Sequence, residues 1–93
     1  MVRHIVMYWF DDEEKLAKAE AALLSMRGKI EGMLELTVGR DYLHTARSCQ
    51  LCLCERFESR EALAAYIDHP VHLPVKALMH QITARSCSAD FDE

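Results

Sequence analysis

A phenol and two imidazoles fall within seven consecutive residues, Tyr66-Ile67-Asp68-His69-Pro70-Val71-His72, beside one of the two prolines of the chain. Histidine is the side chain whose ordinary pKa lies nearest neutrality, which suits it to moving protons. A tyrosine hydroxyl can donate a hydrogen bond to an oxygen that is gaining charge. Pro70 shapes the stretch. It disfavours the helical region for His69 and is itself well tolerated at the first position of a helix. One helix is therefore expected to end near Asp68 and another to begin at Pro70. Tyr66 then sits on the last turn of the first and His72 on the first turn of the second, and the corner aims two titratable groups at one cavity.

The totals narrow the partners such a cavity can serve. Ninety-three residues make one domain, taken here as 1–93, with room for a single core. A hydrophobic share of 51% and a charged share of 28% are ordinary for a globular chain. A net charge of −4 offers phosphate backbones and anionic membranes no attraction, so neither nucleic acid nor a membrane is an expected partner. No apolar run approaches a membrane span, and Met1-Val2-Arg3-His4 does not open a signal peptide. The expected location is cytoplasmic, with the four cysteines as free thiols.

The corner needs a scaffold, and the periodicities supply one. Residues 2 to 10 are β-branched and aromatic, with Val2, His4, Val6, Tyr8 and Phe10 on one face and Ile5, Met7 and Trp9 on the other. A strand apolar on both sides belongs in the middle of a sheet. Asp11 and Asp12 then cap a helix whose buried stripe is Leu16, Ala19, Leu23, Met26 and Ile30, with Gly28 expected to end it. After a turn at Gly32, residues 33 to 42 place Leu34, Leu36, Val38 and Tyr42 on one face and Glu35, Thr37, Gly39 and Asp41 on the other, an edge strand. Residues 49 to 57 are again apolar on both sides, Leu51, Leu53 and Phe57 against Cys52 and Cys54. Ser59 caps a short helix, residues 70 to 79 form the next, and a less apolar strand from about Ile82 to Phe91 fits the second edge.

The order is β-α-β-β-α-β, an α+β, ferredoxin-like arrangement with a four-stranded antiparallel sheet whose first and third strands are central. The burial pattern assigns those same roles independently. Helices cover only one side of such a sheet, while the central strands are apolar on the other side as well. A second copy is the simplest cover, so the expected assembly is a homodimer with two sheets stacked as a dimeric α/β barrel.

Three stretches carry a family likeness. The opening Val2-Arg3-His4-Ile5-Val6-Met7, the run Gly28 to Arg40, and Phe57 to Tyr66 followed by His69-Pro70-Val71-His72 resemble the stress-responsive A/B barrel (Dabb) family over nearly the whole chain. The resemblance implies a dimeric α+β barrel and no single activity. A plant cyclase of the family closes a linear polyketide by aldol chemistry without a cofactor, using a tyrosine and a histidine around its own His-Pro-x-His segment and a histidine in its first strand. The matching positions here are Tyr66, His72 and His4, while Leu51 or its neighbour stands where that cyclase has a further histidine. The family's Ile-Pro-Gly is Ile30-Glu31-Gly32 in this chain.

The roles that follow are His72 as base, Tyr66 as its orienting partner or as donor to the substrate oxygen, and His4 as a second proton carrier, with Tyr8 and Leu53 as pocket walls. Such a site would act, with no cofactor, on a small apolar carbonyl compound. The competing expectation is a non-catalytic stress-response or ligand-binding dimer in which Tyr66 packs in the core, His72 caps a helix and His4 bonds backbone. His69 is expected to serve the turn, and His44 and His80 the surface. No metal site is expected: Cys49 and Cys52 form a C-x-x-C, but residues three apart in a strand point to opposite faces.

Overall fold

The computed structural model describes residues 1–93, Met1 to Glu93. Its elements are β1 (Val2–Trp9), α1 (Glu13–Leu24), β2 (Met33–Arg40), β3 (Leu51–Phe57), α2 (Arg60–Ile67), α3 (His72–Ile82) and β4 (Arg85–Asp92). The strands lie in the order β2-β3-β1-β4, with every neighbouring pair antiparallel. This is the ferredoxin-like βαββαβ arrangement, with the two doubly apolar strands at its centre.

Local chemistry sets the helix starts. Asp12 accepts the amide of Lys15 at 2.8 Å, and Glu13 and Glu14 occupy the first turn of α1, where backbone N–H groups lack partners. Ser59 does the same for α2 through the amide of Ala62 at 3.1 Å. The helices pack on one face of the sheet, and the core between them holds Val2, Val6 and Tyr8 of β1, Leu51, Leu53 and Phe57 of β3, Leu16, Ala19 and Leu23 of α1, Tyr66 of α2, and Val75, Met79 and Ile82 of α3.

Several boundaries differ from expectation. Helix α1 stops at Leu24, four residues before Gly28, and Met26 and Ile30 are buried from the turns that follow. Gly28 and Gly32 both adopt positive φ, 75° and 82°. At Gly32 a Cβ would stand 2.6 Å from the Cβ of Ala62, so only glycine lets the chain pass α2 there on its way into β2. In β2 the register slips between Met33 and Glu35, which turns Leu34 outward, away from the face of Leu36. Tyr42 lies beyond the strand and is 87% exposed. Helix α3 begins at His72, two residues after Pro70, because His69 O accepts the amides of His72 and Leu73 and forms a turn first. It runs to Ile82, whose side chain is buried in the core, and the last strand starts only at Arg85. Pro74, in the first turn of α3, has no N–H to offer Pro70 O, which interrupts the i→i−4 ladder that Leu73 N–H opens to His69 O.

Candidate functional site

Three backbone bonds shape the corner between α2 and α3. Tyr66 O accepts the amide of His69 at 3.0 Å, and His69 O accepts those of His72 and Leu73 at 2.9 and 3.0 Å. The His69 ring serves the turn: Nδ1 accepts the amide of Val71 at 3.0 Å, while Nε2 donates to Glu31 at 2.9 Å. His72 turns back over α2. Its ring lies stacked on Tyr66, centroids 4.0 Å apart, with Nδ1 at 3.1 Å from Tyr66 O and 3.0 Å from Ile67 O. Carbonyl oxygens only accept, so Nδ1 carries the proton and the neutral ring keeps its lone pair on Nε2. Burial lowers the pKa of His72 below the usual histidine value, against the pull of those two carbonyls.

His4 occupies the centre of the sheet. Antiparallel register sets it directly beside Glu55 of β3 and Asp90 of β4, so an acid, an imidazole and an acid form one row across three strands. Nδ1 donates to Asp90 Oδ1, and Nε2 faces Glu55 Oε1 at 3.8 Å. Sequence reasoning passed over both acids. Glu55 had a readable signal, since Leu51, Leu53, Glu55 and Phe57 alternate on one face and the third is a carboxylate among apolar side chains.

Glu55 is 0% exposed, and neither carboxyl oxygen has a hydrogen-bond partner of ordinary geometry. Burial pushes its pKa from 4.5 up to about 7; the nearby Tyr66 hydroxyl opposes the rise and the charge of Asp90 adds to it. The Tyr66 hydroxyl has one contact of hydrogen-bond geometry, to Met26 Sδ at 3.9 Å. Burial and the proximity of Glu55 raise the pKa of Tyr66 and of Tyr8 beyond the ordinary phenol value, so both remain hydroxyl donors at any physiological pH.

His4, Tyr8, Leu53, Tyr66 and His72 all border one open cavity of about 690 Å³, between the sheet and helices α2 and α3. Val6, Leu23, Leu63, Val75 and Met79 give it apolar walls. His80, expected only at the surface, is exposed and also lies on the cavity rim; His44 and His69 do not border the cavity. No three His, Cys, Asp or Glu side chains are grouped to hold a metal ion. All four cysteines are free, and burial raises the thiol pKa of Cys49 and Cys52. The arrangement offers a neutral imidazole with an open nitrogen, a second imidazole between two acids, and an apolar space beside both.

Comparison with known proteins places this geometry in context. The family profile described as Stress responsive A/B Barrel Domain (Dabb) matches residues 2–93. A dimeric ferredoxin-like protein of unknown function from Thermobifida fusca YX superposes with a TM-score of 0.87 at 20% identity, over 99% of this chain and 90% of that one. A protein of Arabidopsis thaliana gives 0.83 at 23% identity, over 100% and 95% of the two chains. The hydroxynitrile lyase of Passiflora edulis gives 0.83 at 15% identity, over 97% and 90%. At such identities the likeness is one of fold. No curated protein matches the sequence.

Proposed function

The chain belongs to the stress-responsive A/B barrel (Dabb) family, and from that premise we propose that it catalyses cofactor-independent proton transfer, of cyclase or isomerase type, on a small apolar carbonyl compound. One observation carries the reading. His72 commits Nδ1 to two backbone carbonyls, which leaves the unprotonated Nε2 on a ring that borders an apolar cavity. A base needs that tautomer and a pKa near or below neutrality.

In the proposed step, His72 Nε2 takes a proton from the carbon beside the substrate carbonyl. The C–H electron pair moves into the new C=C bond and the carbonyl pair onto oxygen. His4, with a carboxyl group beside each nitrogen, is the second proton carrier and delivers a proton to that oxygen. Tyr66 holds the His72 ring by stacking on it, and Tyr8 and Leu53 form walls that exclude water. A protein of this fold is a hydroxynitrile lyase, so the scaffold accommodates an enzyme.

The open face of the sheet completes the proposal. Ile5, Met7, Trp9, Cys52, Cys54 and Ala89 occupy it, Met7 at 41% exposure, and no helix of the chain covers them. Arg3 and Arg56 pair with Glu35 and Glu93 at 2.9–3.3 Å at one end of the face, which leaves the rest apolar. The proposed cover is a second copy, the assembly described for the Thermobifida fusca neighbour.

Deuterium exchange tests the chemistry. The wild-type protein is expected to speed α-proton exchange of a medium-chain β-diketone in D2O, and His72→Gln to lose the acceleration. Exchange no faster than in buffer, or equal in the variant, refutes it. The second reading, a non-catalytic ligand-binding dimer, draws on the Tyr66 hydroxyl, which packs against Met26 sulfur in the core. Binding of the diketone without exchange would select it.

A further inference from the structure

The same cavity has a charge pattern that the acid–base reading does not use. His72, Lys76 and His80 recur at intervals of four along α3, so they share one helical face, and all three border the cavity. Across from them β4 contributes Ser86, Ser88 and Asp90, alternate residues of one strand face. Thr83, in the connection between the two, also borders it, and its hydroxyl is buried with no hydrogen-bond partner.

Lys76 is the distinctive group. Lys15 and Lys18 pair with Asp11 and Glu14, whereas neither Lys29 nor Lys76 has a carboxylate within ion-pair distance; of these two only Lys76 borders the cavity, and its charge is felt by His72. Asp90 is the one acid bordering the cavity, and it is engaged by His4. Arg85 also borders the cavity, and its guanidinium stacks over Trp9, the carbon 4.5 Å from the ring centroid. In a chain of net charge −4, the entrance to the apolar cavity holds an unpaired ammonium, a guanidinium, two imidazoles and three hydroxyls.

We propose that the ligand of this cavity is a carboxylate: its anionic end sits between Lys76 and the hydroxyls of Thr83, Ser86 and Ser88, and its apolar body lies against Val6, Leu53, Leu63 and Val75. This deepens the proposed function, on whose identification of the cavity it rests. Lys76 follows His72 by one helical turn, so the carboxylate lies about 5–6 Å along the helix from the base. The substrate class is then an apolar keto acid with its acidic group set apart from the carbon that loses the proton.

The test uses two probes of one shape, 1-naphthoate and its neutral amide, titrated into the full-length protein by calorimetry at low salt. Wild type is expected to bind the naphthoate about tenfold more tightly than the amide, with the gap narrowing as salt rises. Lys76→Met should bring naphthoate to the level of the amide and leave the amide unchanged, while Lys76→Arg retains the preference. Equal affinity for the two probes in wild type, binding of neither, or a preference that survives in Lys76→Met overturns the proposal. His72→Gln, which removes the base, should keep the preference for naphthoate, so failure of the chemistry and failure of the anion site give different results.

Discussion

Replacing Glu55 by glutamine should change how the stability of this protein depends on pH. The folded chain holds the Glu55 proton more tightly than the unfolded chain does, because burial raises its pKa from 4.5 to about 7. A raised pKa means that the stability associated with this group is fully present below pH 4.5 and is lost as pH rises through about 7. At about 1.4 kcal/mol per pH unit, the loss amounts to about 3 kcal/mol once the carboxyl is ionised in both states. Glutamine has nearly the same shape and does not titrate, so the variant lacks this loss. His72 acts in the opposite direction, since its lowered pKa favours the folded state as pH rises. That contribution is common to both proteins and cancels in their difference. The charged and titratable groups facing Glu55 are His4 from β1, Asp90 from β4, and the phenols of Tyr8 and Tyr66. Urea unfolding, followed by circular dichroism at one protein concentration and at several values between about pH 4.5 and pH 8.5, reads the difference directly. The wild type should lose about 3 kcal/mol relative to Glu55→Gln across that range. A difference flat with pH, or one moving in favour of the wild type as pH rises, would refute the argument that Glu55 is held protonated by its surroundings.

Two further outcomes follow from the packing. Gly32→Ala combines a left-handed backbone at φ 82° with a Cβ placed 2.6 Å from Ala62 Cβ, so it should cost about 2 kcal/mol or more, seen as a lower urea midpoint at unchanged slope. Met7→Arg puts a charge in the middle of the uncovered sheet face, and sedimentation at micromolar concentration should show a folded monomer, whereas the wild type should sediment as a dimer. A wild type that sediments as a monomer would remove the proposed second copy.

The elements themselves were legible because their signals are local. Asp12 and Ser59 announce helix starts through side chains that reach only three residues ahead, and both caps form. The patterns along residues 2–10 and 49–57 marked two strands apolar on both sides, and the strands that form there, Val2–Trp9 and Leu51–Phe57, are central in the sheet. The corner at Pro70 brought Tyr66 and His72 together as their spacing indicated, since a single turn separates them. Boundaries were less readable. Ile82 belongs to a helix because its side chain is needed in the core, and Leu34 faces outward because a slip in register intervenes, neither of which a neighbour in the chain reveals.

The amino-acid order alone determined which segments become strands and helices and which faces they bury, because periodicity and capping are decided within a few residues. Only the tertiary structure decided that Glu55 and Asp90 flank His4, for that depends on the register of β3 and β4 against β1, set by pairing between residues 51 and 86 positions apart. The same packing raised the pKa of Glu55 and fixed the tautomer of His72, since both depend on how much water and which carbonyls the assembled fold leaves around each group.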